Sequence, residues 1–349
     1  MIDCLASETQ FVEHLAPIWL ALPPEARGSF AAHRSIRGKP ADWGIVPTDG
    51  DPSRPVLVAS YGDQKRARRL GYRRIARIEH GAGQSYHGDS RFGANASYAG
   101  GRDCHDVSLF LCPNEYSADR WQAAYPGADV EIVGCPKLDS LPRKERASPA
   151  ATHPPSEVSA NRDARASFDE STPPTVCISF HFDINLIPET RSAFPAYRPF
   201  LTALAKRYNV IGHGHPKGLG TIYRYLMRAG IEVVTDFAEV CRRADLYAVD
   251  NSSTLFEFAS TGRPVVVLND PGFRKDVHHG GRFWNWAGVG PQVDIPATIG
   301  DVIEQAFSED WTARREAVLA EVYPVRSGAA RLAAEALMEW AGIGQAVAA

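Results

Sequence analysis

The sequence lacks any apolar run of the ~18–20 residues that a membrane-spanning helix needs. Its first ten residues, MIDCLASETQ, lack the basic and apolar regions of a secretory signal peptide. Lysine is scarce, with seven residues, and the formal net charge is −3. Proteins that bind nucleic acid or anionic membranes through their overall charge are basic, so this composition does not indicate either partner; a local basic patch stays an alternative. We expect a cytoplasmic protein without a transmembrane segment.

Paired cysteines are also lacking. The six cysteines are scattered along the chain and include no C-x-x-C pair. This spacing predicts neither a zinc site nor a disulfide framework, and it fits reduced thiols.

The chain has a helical pattern near its start. Ser7 and Gln10 form the sequence signature of a capping box. The apolar residues that follow share one helical face: Phe11, Leu15, Ile18, Trp19 and Leu22. Two prolines, at 23 and 24, then predict the end of this helix, which we expect to pack on a core.

Strand and helix patterns alternate twice along the 349 residues, first from residue 56 to about 140 and again from 175. Between these series, residues 141–174 are rich in Pro, Ser, Ala and charge. Alternation of this kind predicts parallel sheets. We therefore predict an α/β protein with two Rossmann-like domains that face a central cleft. The domains would span 1–140 and 175–349, with 141–174 as a linker and the C-terminal helices in the second domain.

Ligands in open α/β sheets bind just after the strands, which directs attention to three loops. In the first, His80 follows a strand pattern and precedes a loop that contains Gly81, Gly83 and Gln84. A histidine in this position is suited to general-base catalysis, because its ordinary pKa is near 6.5. The alternative is a tight turn whose histidine bonds to the backbone.

The second loop, GHGHPKG, places His213, His215 and Lys217 between glycines after an apolar strand. Such a cationic, donor-rich loop favours contact with phosphate oxygens. A metal site and a plain loop remain alternatives.

The third loop, DNSSTLFE, ends a strand at Asp250 and places Ser252, Ser253 and Thr254 at a helix start. Hydroxyl residues are typical helix N-caps, and the same free N–H groups bind phosphate. Glu257, one turn later, is a candidate acceptor for ribose hydroxyls. A fourth stretch, GCPKLD at 134–139, indicates a strand followed by a turn.

Taken in order, these motifs resemble the CDP-glycerol glycerophosphotransferase family and, more broadly, GT-B glycosyltransferases; UDP-N-acetylglucosamine 2-epimerases share the architecture. The resemblance spans residues 56 to 310. It implies that His80 is the catalytic base and that His215 lies near the donor phosphates. It also implies that Ser252 and Ser253 bind phosphate, and it makes Glu257 the acidic residue of the motif. The family's Arg-Gly-aromatic segment is approximated here around Arg282.

This resemblance predicts a transferase that moves a glycosyl group from a nucleotide diphosphate donor to an acceptor hydroxyl. The alternatives are glycerophosphoryl transfer, as in teichoic-acid-like polymer synthesis, a UDP-sugar 2-epimerase or hydrolase, and a non-catalytic binding protein. No D-x-D motif stands at a strand end. We therefore expect no cofactor and no metal, with phosphate charge met by His215, Lys217 and a helix dipole. The sequence does not identify the acceptor or the oligomeric state.

Overall fold

The computed structural model describes residues 1–82, 104–142, 173–183, 192–270 and 281–343, with the side chains of 219, 281 and 282 excepted. The chain forms two units. One contains Met1–Ser140 together with the C-terminal segment from Ala320, and the other contains most of the residues between them.

Helices flank the strands in both units. The described α-helices are α1 (Thr9–Ala21), α2 (Tyr61–Leu70), α3 (Glu115–Ala124), α4 (Phe194–Tyr197), α5 (Leu201–Leu204), α6 (Pro216–Arg228), α7 (Phe237–Arg243), α8 (Thr254–Ala259), α9 (Gly281–Trp286), α10 (Ile299–Ser308), α11 (Thr312–Val322) and α12 (Ala329–Ala341). None of the helices in the described ranges is long and apolar enough to cross a membrane.

The first unit contains a parallel sheet with the strand order β2-β1-β3-β4-β5-β6. Its described strands are β1 (Ile2–Ala6), β2 (Arg27–Ala32), β3 (Val56–Val58), β4 (Ile75–Ile78), β5 (Val107–Cys112) and β6 (Asp129–Ile132). The chain runs outward from β1 to β2 and then crosses back to β3. This reversal is a topological switch point, where ligands bind in open α/β sheets.

The second unit contains a parallel sheet with the order β12-β11-β10-β7-β8-β9. Its described strands are β7 (Thr175–Phe180), β8 (Asn209–Gly214), β9 (Glu232–Val233), β10 (Leu246–Val249), β11 (Val265–Leu268) and β12 (Gln292–Val293). Counted from β7, this is the dinucleotide-fold order 3-2-1-4-5-6. Its switch point lies between β7 and β10.

The inner strands are buried on both faces, as covered parallel sheets require. β3, β4, β10 and β11 are buried along their whole length. In the first unit, α1 and α12 pack together on one face of the sheet, where Leu15 and Leu337 join the same core.

The α/β prediction with two parallel sheets is confirmed, and so is the N-terminal helix. The predicted capping box is wrong, because Glu8 is the N-cap residue and its side chain makes no capping hydrogen bond. The structure also divides the chain differently at its end: α12 belongs to the first unit, although the sequence places 175–349 in one domain. Asp139 explains this packing, since it accepts hydrogen bonds from the backbone N–H groups of Ala329 and Ala330.

Candidate active site

His80 lies two residues after the end of β4, the neighbour of β3 in the first sheet. Its Nδ1 lies 2.5 Å from the carbonyl oxygen of Ala59, which follows the neighbouring strand β3. A carbonyl oxygen only accepts, so Nδ1 carries the proton and Nε2 carries the lone pair of the neutral ring. This tautomer is the one a general base at Nε2 requires.

Helix α1 supplies the ring neighbours of His80. Phe11 makes an edge contact, with the ring centroids 4.8 Å apart, and the centroid of His14 lies 6.2 Å away. Burial, with the nearby charges of Lys137 and His80, holds the pKa of His14 well below its ordinary value. His14 therefore stays neutral and adds no second positive charge when His80 takes up a proton.

The GCPKLD stretch, residues 134–139, contacts the helices α1 and α12. Lys137 is buried and pairs with Glu13 of α1 at 2.8 Å, while Asp139 holds the start of α12. These contacts give the stretch a structural role, as a turn that fixes two helices. Gly81 is buried next to His80, and the predicted residues Gly83 and Gln84 lie outside the described residues.

In the second unit, His215 follows β8 and caps α6. Its Nδ1 accepts a hydrogen bond from the backbone N–H of Lys217 at 3.1 Å. The proton of the neutral ring therefore resides on Nε2, which becomes a hydrogen-bond donor. Gly218 allows the loop to approach Phe182 closely, because a Cβ at position 218 would lie 2.9 Å from the Cβ of Phe182.

His181 is a candidate that the sequence analysis did not identify. It follows β7 at the switch point, and its ring centroid lies 5.2 Å from that of His215. Its Nδ1 bonds to the carbonyl of Phe182 at 2.9 Å, and burial lowers its pKa to about 4. A histidine directly after an apolar strand was the available signal, and it is the signal that singled out His80.

Asp250 directly follows β10, on the other side of the switch point. Its two carboxylate oxygens accept the backbone N–H groups of His181, at 2.8 Å, and Ala193, at 3.0 Å. Burial raises the pKa of this fully buried carboxyl to about 7. These contacts make Asp250 a residue that holds the loop after β7; its direct contact with a donor stays a prediction.

The hydroxyls after Asp250 form a relay. Thr254 Oγ1 lies 2.9 Å from the Tyr247 hydroxyl and donates to Ser252 Oγ at 2.9 Å. Since Ser252 Oγ also accepts from the Thr254 backbone N–H, the proton of Ser252 is directed elsewhere. Ser253 is the N-cap residue of α8, and its side chain makes no capping bond.

The other residues predicted to bind the donor nucleotide differ in how far they are exposed to solvent. Lys217 is exposed, whereas Glu257 is 2% exposed within α8. His213 is buried in β8, and its Nδ1 donates to the carbonyl of Val234 at 2.7 Å. Arg282 lies at the start of α9, but its side chain is outside the description.

Across the parts of the chain that the structure describes, no group of three or more His, Cys, Asp or Glu is placed to hold a metal ion. The cysteines at 4, 104, 112, 135, 177 and 241 are buried and unbridged.

No family model and no curated protein matches the sequence. Solved structures do match. MnaA from S. aureus, solved with UDP, has a TM-score of 0.63 at 12% identity and covers 98% of this chain and 97% of its own. The UDP-GlcNAc 2-epimerase of Neisseria meningitidis, bound to UDP-GlcNAc, has a TM-score of 0.62 at 13% identity over 97% and 99%. The wall teichoic acid polymerase TagF, with CDPG, has a TM-score of 0.56 at 10% identity over 98% and 88%.

The chain has the GT-B fold. Its neighbours are GT-B nucleotide-sugar enzymes, and they cover nearly the whole chain. Identity of 10–13% shows a shared fold and leaves the activity to the site. Each sheet has a histidine after the carboxyl end of a strand: His80 follows β4 in the first unit, and His181 follows β7 at the switch point of the second.

Proposed function

We propose that the chain is a GT-B transferase that moves a glycosyl group from a nucleotide diphosphate donor to an acceptor hydroxyl. The observation that carries the proposal is the set of donors after β8 and β10, the strands that flank β7. His215 offers Nε2–H, Ser252 offers a hydroxyl proton, and Lys217 adds a positive charge. Phosphate oxygens are the acceptors that such a group of donors recognises.

The proposed reaction uses one histidine from each unit. Nε2 of His80 removes the proton from the acceptor hydroxyl, whose oxygen attacks the anomeric carbon of the donor. The bond from that carbon to the diphosphate breaks, and the diphosphate leaves with the electron pair. Nε2–H of His215 and the charge of Lys217 stabilise the negative charge on the leaving group.

The nucleotide product distinguishes this reaction from the alternatives. Glycosyl transfer releases a nucleoside diphosphate, whereas glycerophosphoryl transfer breaks the diphosphate and releases a nucleoside monophosphate. An epimerase returns a sugar nucleotide without an acceptor. A non-catalytic binding protein gives no product.

The test is a melting screen with CDP, UDP, GDP and ADP derivatives, followed by turnover of the donor that stabilises the fold. A ligand at 100 times its Kd stabilises the folded state by about 2.7 kcal/mol. We expect one nucleotide class to stabilise the chain and its sugar derivative to yield the diphosphate in the presence of an acceptor. Stabilisation by none of them would contradict donor binding, and a monophosphate product would replace glycosyl with glycerophosphoryl transfer.

A further inference from the structure

A cavity of about 330 Å³ lies in the first unit beside the edge strand β2. Its lining residues come from the end of β2, from the segment that follows it and from α2. Ligand pockets commonly range from ~300 to 1,000 Å³. The cavity is therefore sized for a small molecule and is too small for a whole sugar nucleotide.

Positive charge dominates this lining. Three guanidinium groups, those of Arg34, Arg37 and Arg66, face one carboxylate, that of Asp49. The exposed pair Arg37–Asp49, at 3.7 Å, leaves two positive charges in excess. His33 adds a neutral donor, because its Nδ1 accepts the backbone N–H of Ser35 at 3.3 Å and Nε2 then carries the proton.

Arg66 has a buried donor that no described residue satisfies. Its Nη1 is buried and has no hydrogen-bond partner among the residues that the structure describes. A buried charged hydrogen-bond donor without an acceptor destabilises the folded state, so native proteins rarely contain one. Asp63, one turn earlier in α2, attracts Arg66 electrostatically but does not line the cavity.

The lining also has an apolar part, and hydrogen bonds to a buried carboxylate hold it in place. Tyr72 lines the cavity and donates its hydroxyl proton to the fully buried Asp3 at 2.8 Å. Asp3 also accepts the backbone N–H of Asp51 at 2.7 Å. A Cβ at Gly50 would lie 2.0 Å from the Tyr72 hydroxyl oxygen, so only glycine fits there. Leu70 lines the same cavity and is 47% exposed.

We propose that this cavity binds a small phosphate monoester with an apolar body. Two excess positive charges match a dianionic phosphate better than a carboxylate, and guanidinium groups bind phosphate in a bidentate manner. The phosphate would contact the guanidinium groups of Arg34 and Arg66, and the body would cover Leu70 beside Tyr72. This site is separate from the donor site proposed above, and its occupancy does not depend on the proposed transfer reaction.

The test is isothermal titration calorimetry of the full chain with phenyl phosphate, inorganic phosphate and phenol. We expect saturable binding of phenyl phosphate, weaker binding of inorganic phosphate and none of phenol. Arg66→Gln should weaken phenyl phosphate binding by about tenfold or more. Arg69→Gln, at an exposed position of the same helix outside the lining, should leave binding unchanged.

Arg34→Gln is the second variant, for the case in which Arg66→Gln lowers the melting temperature. Because Arg34 is exposed, we expect its replacement to leave the fold intact. The proposal is overturned if phenyl phosphate shows no saturable binding up to about 10 mM, or if both lining variants bind as well as the wild type. Equal affinity for inorganic phosphate and phenyl phosphate would overturn the ester assignment, since the apolar part of the lining would then contribute nothing.

Discussion

His80 and His215 have opposite hydrogen-bonding states, although each follows a parallel strand at its carboxyl end. Nδ1 of His80 donates to a carbonyl oxygen, whereas Nδ1 of His215 accepts a backbone N–H. Nε2 therefore carries a lone pair in the first unit and an N–H hydrogen-bond donor in the second. The two units thus share a strand-end histidine, and one backbone contact in each sets its Nε2 to accept a hydrogen bond in the first unit and to donate one in the second.

The largest effect that this comparison predicts follows from His80→Ala. Removal of the base should lower kcat by about 10²–10⁴-fold and leave donor affinity nearly intact, since Nε2 acts on the acceptor. Steady-state kinetics with donor titration measures both quantities. His105→Ala, an exposed histidine of the same unit, is the control. A folded His80→Ala protein with kcat near that of the wild type would show that His80 is not the catalytic base.

The pH dependence of the free energy of unfolding tests whether His181, in the second unit, is held neutral. Its folded pKa of about 4 lies below the ordinary 6.5, so the unfolded chain binds the proton first as pH falls. Its contribution to stability is complete above 6.5 and is lost between 6.5 and 4, up to roughly 3 kcal/mol. Urea unfolding at pH 7.5 and 4.5 should show a smaller loss in His181→Asn than in the wild type. Equal losses in the two proteins would show that His181 is not held neutral.

Two substitutions of His215 separate its role as the N-cap of α6 from its role as a hydrogen-bond donor to the nucleotide. Asparagine accepts a hydrogen bond at an N-cap and alanine does not, so His215→Ala should lose about 1 kcal/mol of stability and His215→Asn should retain most of it. Both variants lack Nε2–H and should weaken nucleotide binding by about 1–3 kcal/mol. Calorimetric titration with the nucleotide from the melting screen measures this loss. Wild-type affinity in His215→Asn would reduce His215 to a helix cap.

Ser253→Ala tests the hydroxyl residues at the start of α8, which belong to the second unit, as His215 does. Since Ser253 makes no capping bond, stability should change by less than about 0.5 kcal/mol, while nucleotide affinity falls by about 1–3 kcal/mol. Ser260→Ala, at the other end of α8, is the matched control. If Ser253→Ala binds every nucleoside diphosphate as the wild type does, the phosphates do not lie at this position.

The smallest expected effect is that of metal removal. In the proposed site, the Nε2–H of His215 and the positive charge of Lys217 stabilise the diphosphate without a divalent ion, so turnover should persist in EDTA. The assay compares rates with EDTA and after added Mg²⁺ or Mn²⁺. Loss of activity in EDTA and its return with either ion would contradict metal independence.

Sequence patterns predicted the α/β class because the alternating apolar runs are local signals. They missed β1, β2 and β12. β1 has no polar alternation, β2 (RGSFAA) is rich in small residues, and β12 has two residues. Pairing in the sheet, which is a tertiary effect, stabilises these strands.

The candidate site was predictable in part for the same reason. Glycine and histidine after a strand single out His80 and His215 from the sequence alone. Their tautomers depend on Ala59 and on the first turn of α6. The role of Asp250 depends on its contacts with His181 and Ala193. Such contacts between distant segments leave no periodic trace in the sequence.

The placement of α12 has a consequence for synthesis on the ribosome. Asp139 and Ala330, which hydrogen-bond, are 191 positions apart, and the whole second unit is translated between them. The second sheet can therefore fold as soon as its own strands emerge. In the first unit, the apolar face of α1 lacks the cover of α12 until α12 leaves the exit tunnel. During that interval the nascent N-terminal half is the part that exposes a binding surface to chaperones.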